Sequence, residues 1–487
     1  MKAFFTKYKK EAALITGIVL CLFFFFVNPL GLLFKAKLVL AIAVLMISWW
    51  VLDAMPLAVV ALVPLVLYPL LNINTIKDTS RSYSDSIIYL FMGGFFLGMA
   101  IEKWNLHKRI ALSIIKLTGT NGNRIILGFI LSTGFISMWL SNTATTMMMF
   151  PIAASVIHVI SRHANDGANI KNFSLTLMLS LAYASNFGGI ATIIGTPPNV
   201  AYIRHLNENF DHKMDFINWM LLCMPLAIML MLALYFVMVK WLYPNHLTHS
   251  VDGRKFIETE LTGMGKLSRQ EKRVLIIFCS TAFLWICKDI INAAQHVFQL
   301  DDTIIALAGA TSLFIVPSGR TKEEPDERLL EWSDTKNMAW GILLLFGGGI
   351  AMAKSLEEAK LIENLGQYIA GFATSNLLLL IFMVTLISVF LSEVMSNIAQ
   401  VIVMAPVISA VAVAMGINPL LLGIPMTLGA SCASMMPMGT PPNAIVFASG
   451  HIKLNQMVKT GFVLNIISVI LITLFCWLLL PLIIPVL

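Results

Sequence analysis

The stretch WLSNTATTMMMFP (139–151) sets a row of small, mostly polar side chains inside a region that otherwise has the composition of membrane. A related knot, EVMSNIAQVIVMAP, follows at 393–406. Two polar interruptions of long apolar runs decide what kind of membrane protein this is.

The chain has 487 residues, of which 58% are hydrophobic and only 12% charged. Apolar runs of about 17–25 residues, the length that crosses a bilayer core as helix, recur along it. The ten-residue alternation of a membrane barrel is absent. The sequence therefore describes an all-α polytopic membrane protein. The basic head and long apolar body of MKAFFTKYKKEAALITGIVLCLFFFFVNPLGLLF are expected to form a retained first helix, because the apolar core is too long for a signal peptide and no small-residue cleavage site follows. Cys21, Cys223, Cys279, Cys287, Cys432 and Cys476 all fall in apolar segments without a CxxC pair, which argues against a disulfide framework or a zinc site. No HExxH, GxSxG or phosphate-loop pattern announces soluble-type catalysis, and no cofactor is expected.

Crossings are expected at 12–34, 37–53, 56–71, 85–102, 173–194, 216–243, 273–293, 301–317, 338–354, 417–437 and 460–486. The two interrupted stretches, 124–160 and 374–412, are read as re-entrant hairpins that leave on the side they entered. With Lys2, Lys7, Lys9 and Lys10 holding the N-terminus in the cytoplasm, 24 of the 33 Lys and Arg then fall on the cytoplasmic side, most of those in the loops 103–124, 244–273 and 318–337. That asymmetry follows the positive-inside rule, and the net charge of +7 reports orientation rather than nucleic-acid binding. The segments LHKRIALSIIKL (106–117) and SLEEAKLIENLGQYIAGF (355–372) are amphipathic and are expected to lie along the interface.

The chain repeats itself. Ser141-Asn142 returns as Ser396-Asn397, and at the same offset Pro151 matches Pro406, FMGG (91–94) matches FGGG (346–349) and Glu102 matches Glu357. GTPPN at 195–199 recurs at 439–443. The two glycine helices are the fourth and the ninth crossing, an odd step, so the second copy would sit inverted. Inverted repeats with interrupted helices are the architecture of secondary transporters.

Backbone at a hairpin tip inside a bilayer survives only where protein or a watery cavity surrounds it. Ser141, Asn142 and Thr143 stand where the second arm should begin, where they can cap its N–H groups and present the positive end of a helix dipole to an anion. Ser396 and Asn397 offer the same from the other copy. Pro197 and Pro198 lack N–H donors and are expected to free the carbonyls of Ile193 and Ile194; Pro441 and Pro442 do the same for Pro437 and Met438. Free carbonyls at the midplane suit a cation such as Na⁺. No Lys or Arg lies between Arg124 and Arg162 or between Lys360 and Lys453, so a bound anion would be held by amides, hydroxyls and dipoles. Glu393 is the single acid of the second hairpin: a functional candidate by its place in the membrane, or a side chain tied to backbone N–H groups. MTLGASCASMMPMG (426–439) has the small residues of close helix packing. The nine histidines show no metal-ligand spacing.

Across nearly the whole chain these motifs resemble the divalent anion/Na⁺ symporter family, which includes dicarboxylate and citrate carriers. The resemblance implies an elevator-type transporter of about eleven transmembrane helices, a homodimer in the plasma (inner) membrane. Scaffold parts would be 1–118 and 273–372, transport parts 119–245 and 373–487, and 246–272 a cytoplasmic connector. It implies substrate binding by Ser141, Asn142, Thr143, Gly195, Thr196 and Pro197, with Ser396, Asn397, Gly439, Thr440 and Pro441. Na⁺ positions would be Ser137, Ser141, Asn142 and Gly195, and Ser392, Met395 (carbonyl), Asn397 and Gly439. Ile398 departs from the family by standing where a threonine is expected. The missing hydroxyl leans the expectation toward exchange of C4–C5 dicarboxylates, with Na⁺-coupled uptake as the alternative. Arsenite or Na⁺/H⁺ transport is disfavoured by the paired anion-type tips, and an intramembrane enzyme by the absence of a nucleophile–base pair, paired aspartates or a metal cluster.

Overall fold

The computed structural model describes the chain except residues 1–8, 29–30, 120, 164–168, 211–213, 246, 248–250, 296, 320–326, 372–375 and 484–487. Lys2 and Lys7, the end of the expected last crossing and the boundary at 373 lie outside the described residues. Nine helices among the described residues are long and apolar enough to span a membrane, several shorter apolar helices accompany them, and no strand is formed.

The first half runs through α1 (Lys9–Val27), α2 (Phe34–Val51), α3 (Leu57–Val60), α4 (Val63–Leu70), α5 (Ile76–Arg81), α6 (Ser86–Lys103), α7 (Leu106–Thr118), α8 (Gly122–Ser137), α9 (Asn142–His163), α10 (Ile170–Gly189), α11 (Pro197–Asn209) and α12 (Phe216–Phe236). After α13 (Val251–Gly263) the second half follows as α14 (Arg269–Ala294), α15 (Asp302–Ile315), α16 (Trp340–Glu358), α17 (Leu361–Ala370), α18 (Leu377–Leu391), α19 (Asn397–Ala414), α20 (Leu420–Ala430), α21 (Pro441–Phe447) and α22 (Leu454–Ile483).

Several expected boundaries move for local reasons. The first helix stops at Val27 rather than 34, because Asn28 takes a left-handed backbone and its side chain bonds both the N–H and the carbonyl of Leu32. The crossing expected at 56–71 is two short helices, α3 and α4, with Pro64 at the start of the second. The second amphipathic helix begins at Leu361, not 355, since Ser355–Glu358 belong to α16 and Lys360 turns the chain. Helices expected to reach 194 and 437 end at Gly189 and Ala430, and the residues after each are unwound.

Local geometry recurs between the halves. Asn105 and Lys360 hold the same left-handed conformation, φ 55° in both, immediately before α7 and α17. Asn121 and Asn376 cap α8 and α18 through side-chain oxygens that accept from the N–H of Arg124 and Leu379. Asparagine tolerates the left-handed region because its short side chain bonds locally, so Asn105 is at ease where Lys360 is not.

Glycine brings the site-bearing helices close. A Cβ on Gly188 of α10 would collide with the Gly134 backbone of α8, the small-residue contact typical of membrane helices. On the loop side, α7 is pinned by Arg109, which bonds Glu271 at 2.7 Å and the carbonyls of Met264 and Gly265, and by Lys108 on Glu260 of α13 at 2.7 Å. At the opposite ends of α6 and α15, Thr303 donates to the Ser86 carbonyl. There Lys288 is buried between Asp302 at 3.0 Å and Asp215 at 3.1 Å, and Asp302 also accepts from the Phe216 N–H. A charge this far from water persists only because it is paired.

Candidate functional site

Both polar knots sit at breaks between helices. At the first, α8 ends at Ser137 and α9 starts at Asn142; the Ser141 hydroxyl caps the new helix by accepting from the Ala144 N–H at 3.2 Å. The Ser137 hydroxyl donates to Asn142 Oδ1 at 2.8 Å. Thr146, one turn on, donates to Ser185 at 2.9 Å and so ties α9 to α10.

The unwound residues after α10 wrap this tip. Thr192 donates to the Met138 carbonyl and accepts from the Gly195 N–H at 3.1 Å. A Cβ on Gly189 would run into the Asn142 amide, and one on Gly195 would press on the Gly189 backbone and the Met138 carbonyl. Glycine lets the segment pack this closely: a side chain at 195 would meet backbone, and one at 189 the Asn142 amide. Pro197 and Pro198 begin α11 rather than interrupt a helix, so Ile193 and Ile194 lie in a segment already non-helical. Asn199 fastens the segment: its Nδ2 bonds the carbonyls of Gly189, Ile190 and Thr192 at 3.3, 3.3 and 2.8 Å.

The second copy reproduces this fastening. Asn443 Nδ2 donates to the carbonyls of Ala433 at 3.2 Å and Met436 at 3.1 Å, the counterparts of Gly189 and Thr192. The small-residue run at 426–439, expected as packed helix, is helical only to Ala430; the rest is this unwound segment. Thr440 caps α21 by accepting from the Asn443 N–H.

The second tip is built differently. Ser396 makes no side-chain cap, contrary to the symmetric expectation. Ser392, the counterpart of Ser137, donates to the Val389 carbonyl at 2.9 Å instead of to Asn397, and Asn397 Oδ1 is buried without a hydrogen-bond partner. The two arms are joined by Gln400, whose Nε2 bonds Ser388 through its carbonyl at 2.9 Å and its hydroxyl at 2.6 Å. Glu393 is tied to backbone N–H groups, as one of its two expected readings has it. Its Oε1 accepts from the N–H groups of Ser434 and Met435, each at 2.8 Å, and from Asn465 Nδ2 at 2.7 Å, while Oε2 accepts from the Met436 N–H at 2.9 Å. The carboxylate thus organises the unwound segment, and a Cβ on Gly439 would stand 3.0 Å from it.

The two copies meet through Asn186 of α10, which sequence reasoning passed over. Its Oδ1 accepts from Asn142 Nδ2 at 3.4 Å and its Nδ2 donates to Thr440 Oγ1 at 3.2 Å. A polar residue in AYASNFGG was the available signal, but nothing in the sequence named its partners. Ser137, Asn142, Gly195 and Thr440 are therefore brought together, whereas no hydrogen bond joins Ser392, Met395, Asn397 and Gly439 to one another among the described residues. Thr143 is half-buried beside the first tip, Thr196 is buried without capping α11, and Pro441 starts α21.

A cavity of about 90 Å³ touches the first tip at Ser141 and Ala144 and extends past Gly94 and Gly98 to Glu102. It is a narrow approach that water can enter. A larger cavity of about 470 Å³ lies between the ends of α6 and α11 and the flank of α16 and α19, with Arg81, Arg204 and Lys354 facing Asp85, Glu208 and Glu357.

Broken membrane helices whose unwound segments surround a protein-lined polar centre define a secondary transporter. The fold is similar to two solved transporters. YdaH of Alcanivorax borkumensis superposes with a TM-score of 0.57 over 91% of this chain and 98% of that one, at 14% identity. MtrF of Neisseria gonorrhoeae, described among antimetabolite efflux pumps, superposes with a TM-score of 0.56 over 84% of each chain, also at 14% identity. Identity this low speaks for fold alone. In sequence, the sodium:sulfate symporter transmembrane region matches residues 7–484. The sodium-dependent dicarboxylate transporter SdcS from Staphylococcus aureus strains MRSA252 and NCTC 8325 is 36% identical over 499 residues, covering 99% of this chain and 94% of the relative. The chain belongs to this divalent anion/Na⁺ symporter family and is a transporter, not an enzyme.

Proposed function

We propose that the protein is a Na⁺-coupled carrier of C4–C5 dicarboxylates (succinate, fumarate, malate, 2-oxoglutarate) in the plasma membrane, with its N-terminus in the cytoplasm. The observation that carries this reading is the hydrogen-bonded line from the first tip to Thr440 of the second Gly-Thr-Pro-Pro-Asn, which makes one site out of two copies. One carboxylate is held at Ser141, Asn142 and Thr143 with Gly195, Thr196 and Pro197. The other is held at Ser396 and Asn397 with Gly439, Thr440 and Pro441. Amides and hydroxyls bind a dianion without a fixed positive charge, so its release is not opposed by a salt bridge.

Na⁺ fits the donor sets. Oxygens of Ser137, Ser141, Asn142 and Gly195 serve the first ion, and those of Ser392, Met395, Asn397 and Gly439 the second. The buried, unpartnered Oδ1 of Asn397 is the atom that supports a second ion most directly. A lone acceptor away from water is costly unless something positive meets it. The sodium dependence in the name of the 36%-identical relative supports the same coupling. This reading replaces the lean toward exchange that rested on Ile398.

In this reading the two halves are inverted repeats, the tips are re-entrant hairpins, and parts 119–245 and 373–487 move as an elevator against the scaffold of a homodimer. Among the described residues, two ionic contacts cross from one proposed part to the other: Arg204 to Asp85 at 3.1 Å, and Lys288 to Asp215 at 3.1 Å. An elevator stroke breaks and remakes both.

Substrate class is tested by competition in proteoliposomes. Unlabelled fumarate and malate should suppress labelled succinate uptake while butyrate, with one carboxylate, does not. Equal suppression by butyrate would contradict two-ended binding. Ile398 is half-buried at the second tip. Restoring a hydroxyl with Ile398→Thr should lower the succinate KM about fivefold, the value of one hydrogen bond of about 1 kcal/mol. An unchanged or raised KM would place the second carboxylate elsewhere.

A further inference from the structure

Asn186 is 1% exposed in the last turn of α10, and both ends of its amide are engaged. The line it completes begins at the Ser137 hydroxyl. That hydroxyl donates to Asn142 Oδ1, so Asn142 offers its Nδ2 to Asn186 Oδ1, and Asn186 in turn offers its Nδ2 to Thr440. Thr440 Oγ1 then accepts twice, from Asn186 Nδ2 at 3.2 Å and from the Asn443 N–H at 3.4 Å. A hydroxyl has two acceptor positions and one donor. With both acceptor positions filled, Thr440 has its O–H left to give, and the natural recipient is an anion.

The arrangement occurs once. The counterpart of Asn186 in the second copy is Ala430, and Thr196, the counterpart of Thr440, makes no capping bond. The repeated motifs therefore do not account for Asn186; it breaks their symmetry at the point where the copies meet.

We propose that Asn186 is a positioning residue that holds the Thr440 hydroxyl as an obligate donor to the substrate and links it to the first tip. The proposal rests on the reading of Thr440 as a substrate ligand. Asn186 acts through Thr440, so removing both should cost no more than removing Thr440 alone.

The test is the succinate KM in proteoliposomes for Asn186→Ala, Thr440→Val and the double variant. Each single variant should raise KM about tenfold, and the double variant should match Thr440→Val to within about threefold, the non-additivity expected of residues in one hydrogen-bonded network. Thr440→Ser, which keeps the hydroxyl, should stay near wild type. Asn186→Leu, close in size and without polar atoms, should behave as Asn186→Ala and separates lost packing from lost polarity. Singles whose effects multiply to about a hundredfold in the double variant would overturn the proposal, as would an Asn186→Leu that transports like wild type. If wild type takes up no dicarboxylate, the functional reading fails by itself. The same cycle is then read in the melting temperature of the purified protein, where additive losses overturn the link and non-additive losses uphold it.

Discussion

Asn142→Ala should reduce succinate uptake at least about a hundredfold, or about 2.7 kcal/mol of lost stabilisation, while the purified protein keeps its size-exclusion profile. The side chain accepts from Ser137 and donates to Asn186, and it stands against the Gly189 backbone at the centre of the first tip. Alanine continues α9 without strain, so the fold survives, but the first tip loses its orienting amide and Asn186 loses the donor that sets its direction. Asn397→Ala should differ in kind. With Oδ1 unpartnered, its loss should appear chiefly as a rise in the Na⁺ concentration that gives half-maximal uptake. Wild-type transport by Asn142→Ala would remove the first tip from the site.

Glu393→Ala should cost the folded protein about 4 kcal/mol, since four buried donors lose their acceptor at about 1 kcal/mol or more each. Three backbone N–H groups, at Ser434, Met435 and Met436, would lose their common acceptor, and Asn465 its partner. Glutamine is not a conservative replacement here, because its NH₂ would face an N–H donor. Both variants should run as aggregate or melt many degrees below wild type in detergent. A well-folded Glu393→Gln with altered Na⁺ dependence would instead return this carboxylate to the transport cycle.

The contrast between these residues marks what the sequence could disclose. The knots, the glycine helices and the proline pairs are periodic departures from an apolar background, and each marks a helix break or a close backbone approach in the structure. Asn186 is an amide near the end of a long, mostly apolar helix, and its meaning depends on two partners remote in sequence. The unwinding at 431–440 was hidden because small residues serve packed helices and extended turns equally well. The acceptor of its N–H groups, the Glu393 carboxylate, lies on another segment. The cap expected of Ser396 is absent for a related reason: the repeat preserves the residue but not its bond. Ser392 turns to its own helix, and the second tip is left with an unpartnered oxygen where the first has a closed network.

The most direct test of Na⁺-coupled dicarboxylate transport is labelled succinate uptake by proteoliposomes under two conditions. In one, empty vesicles receive an inward Na⁺ gradient; in the other, vesicles loaded with unlabelled succinate are kept free of Na⁺. Concentrative uptake under the Na⁺ gradient alone is the predicted result. Uptake only into the loaded, Na⁺-free vesicles would contradict the coupling and make the protein an exchanger, and uptake in neither would contradict the substrate class.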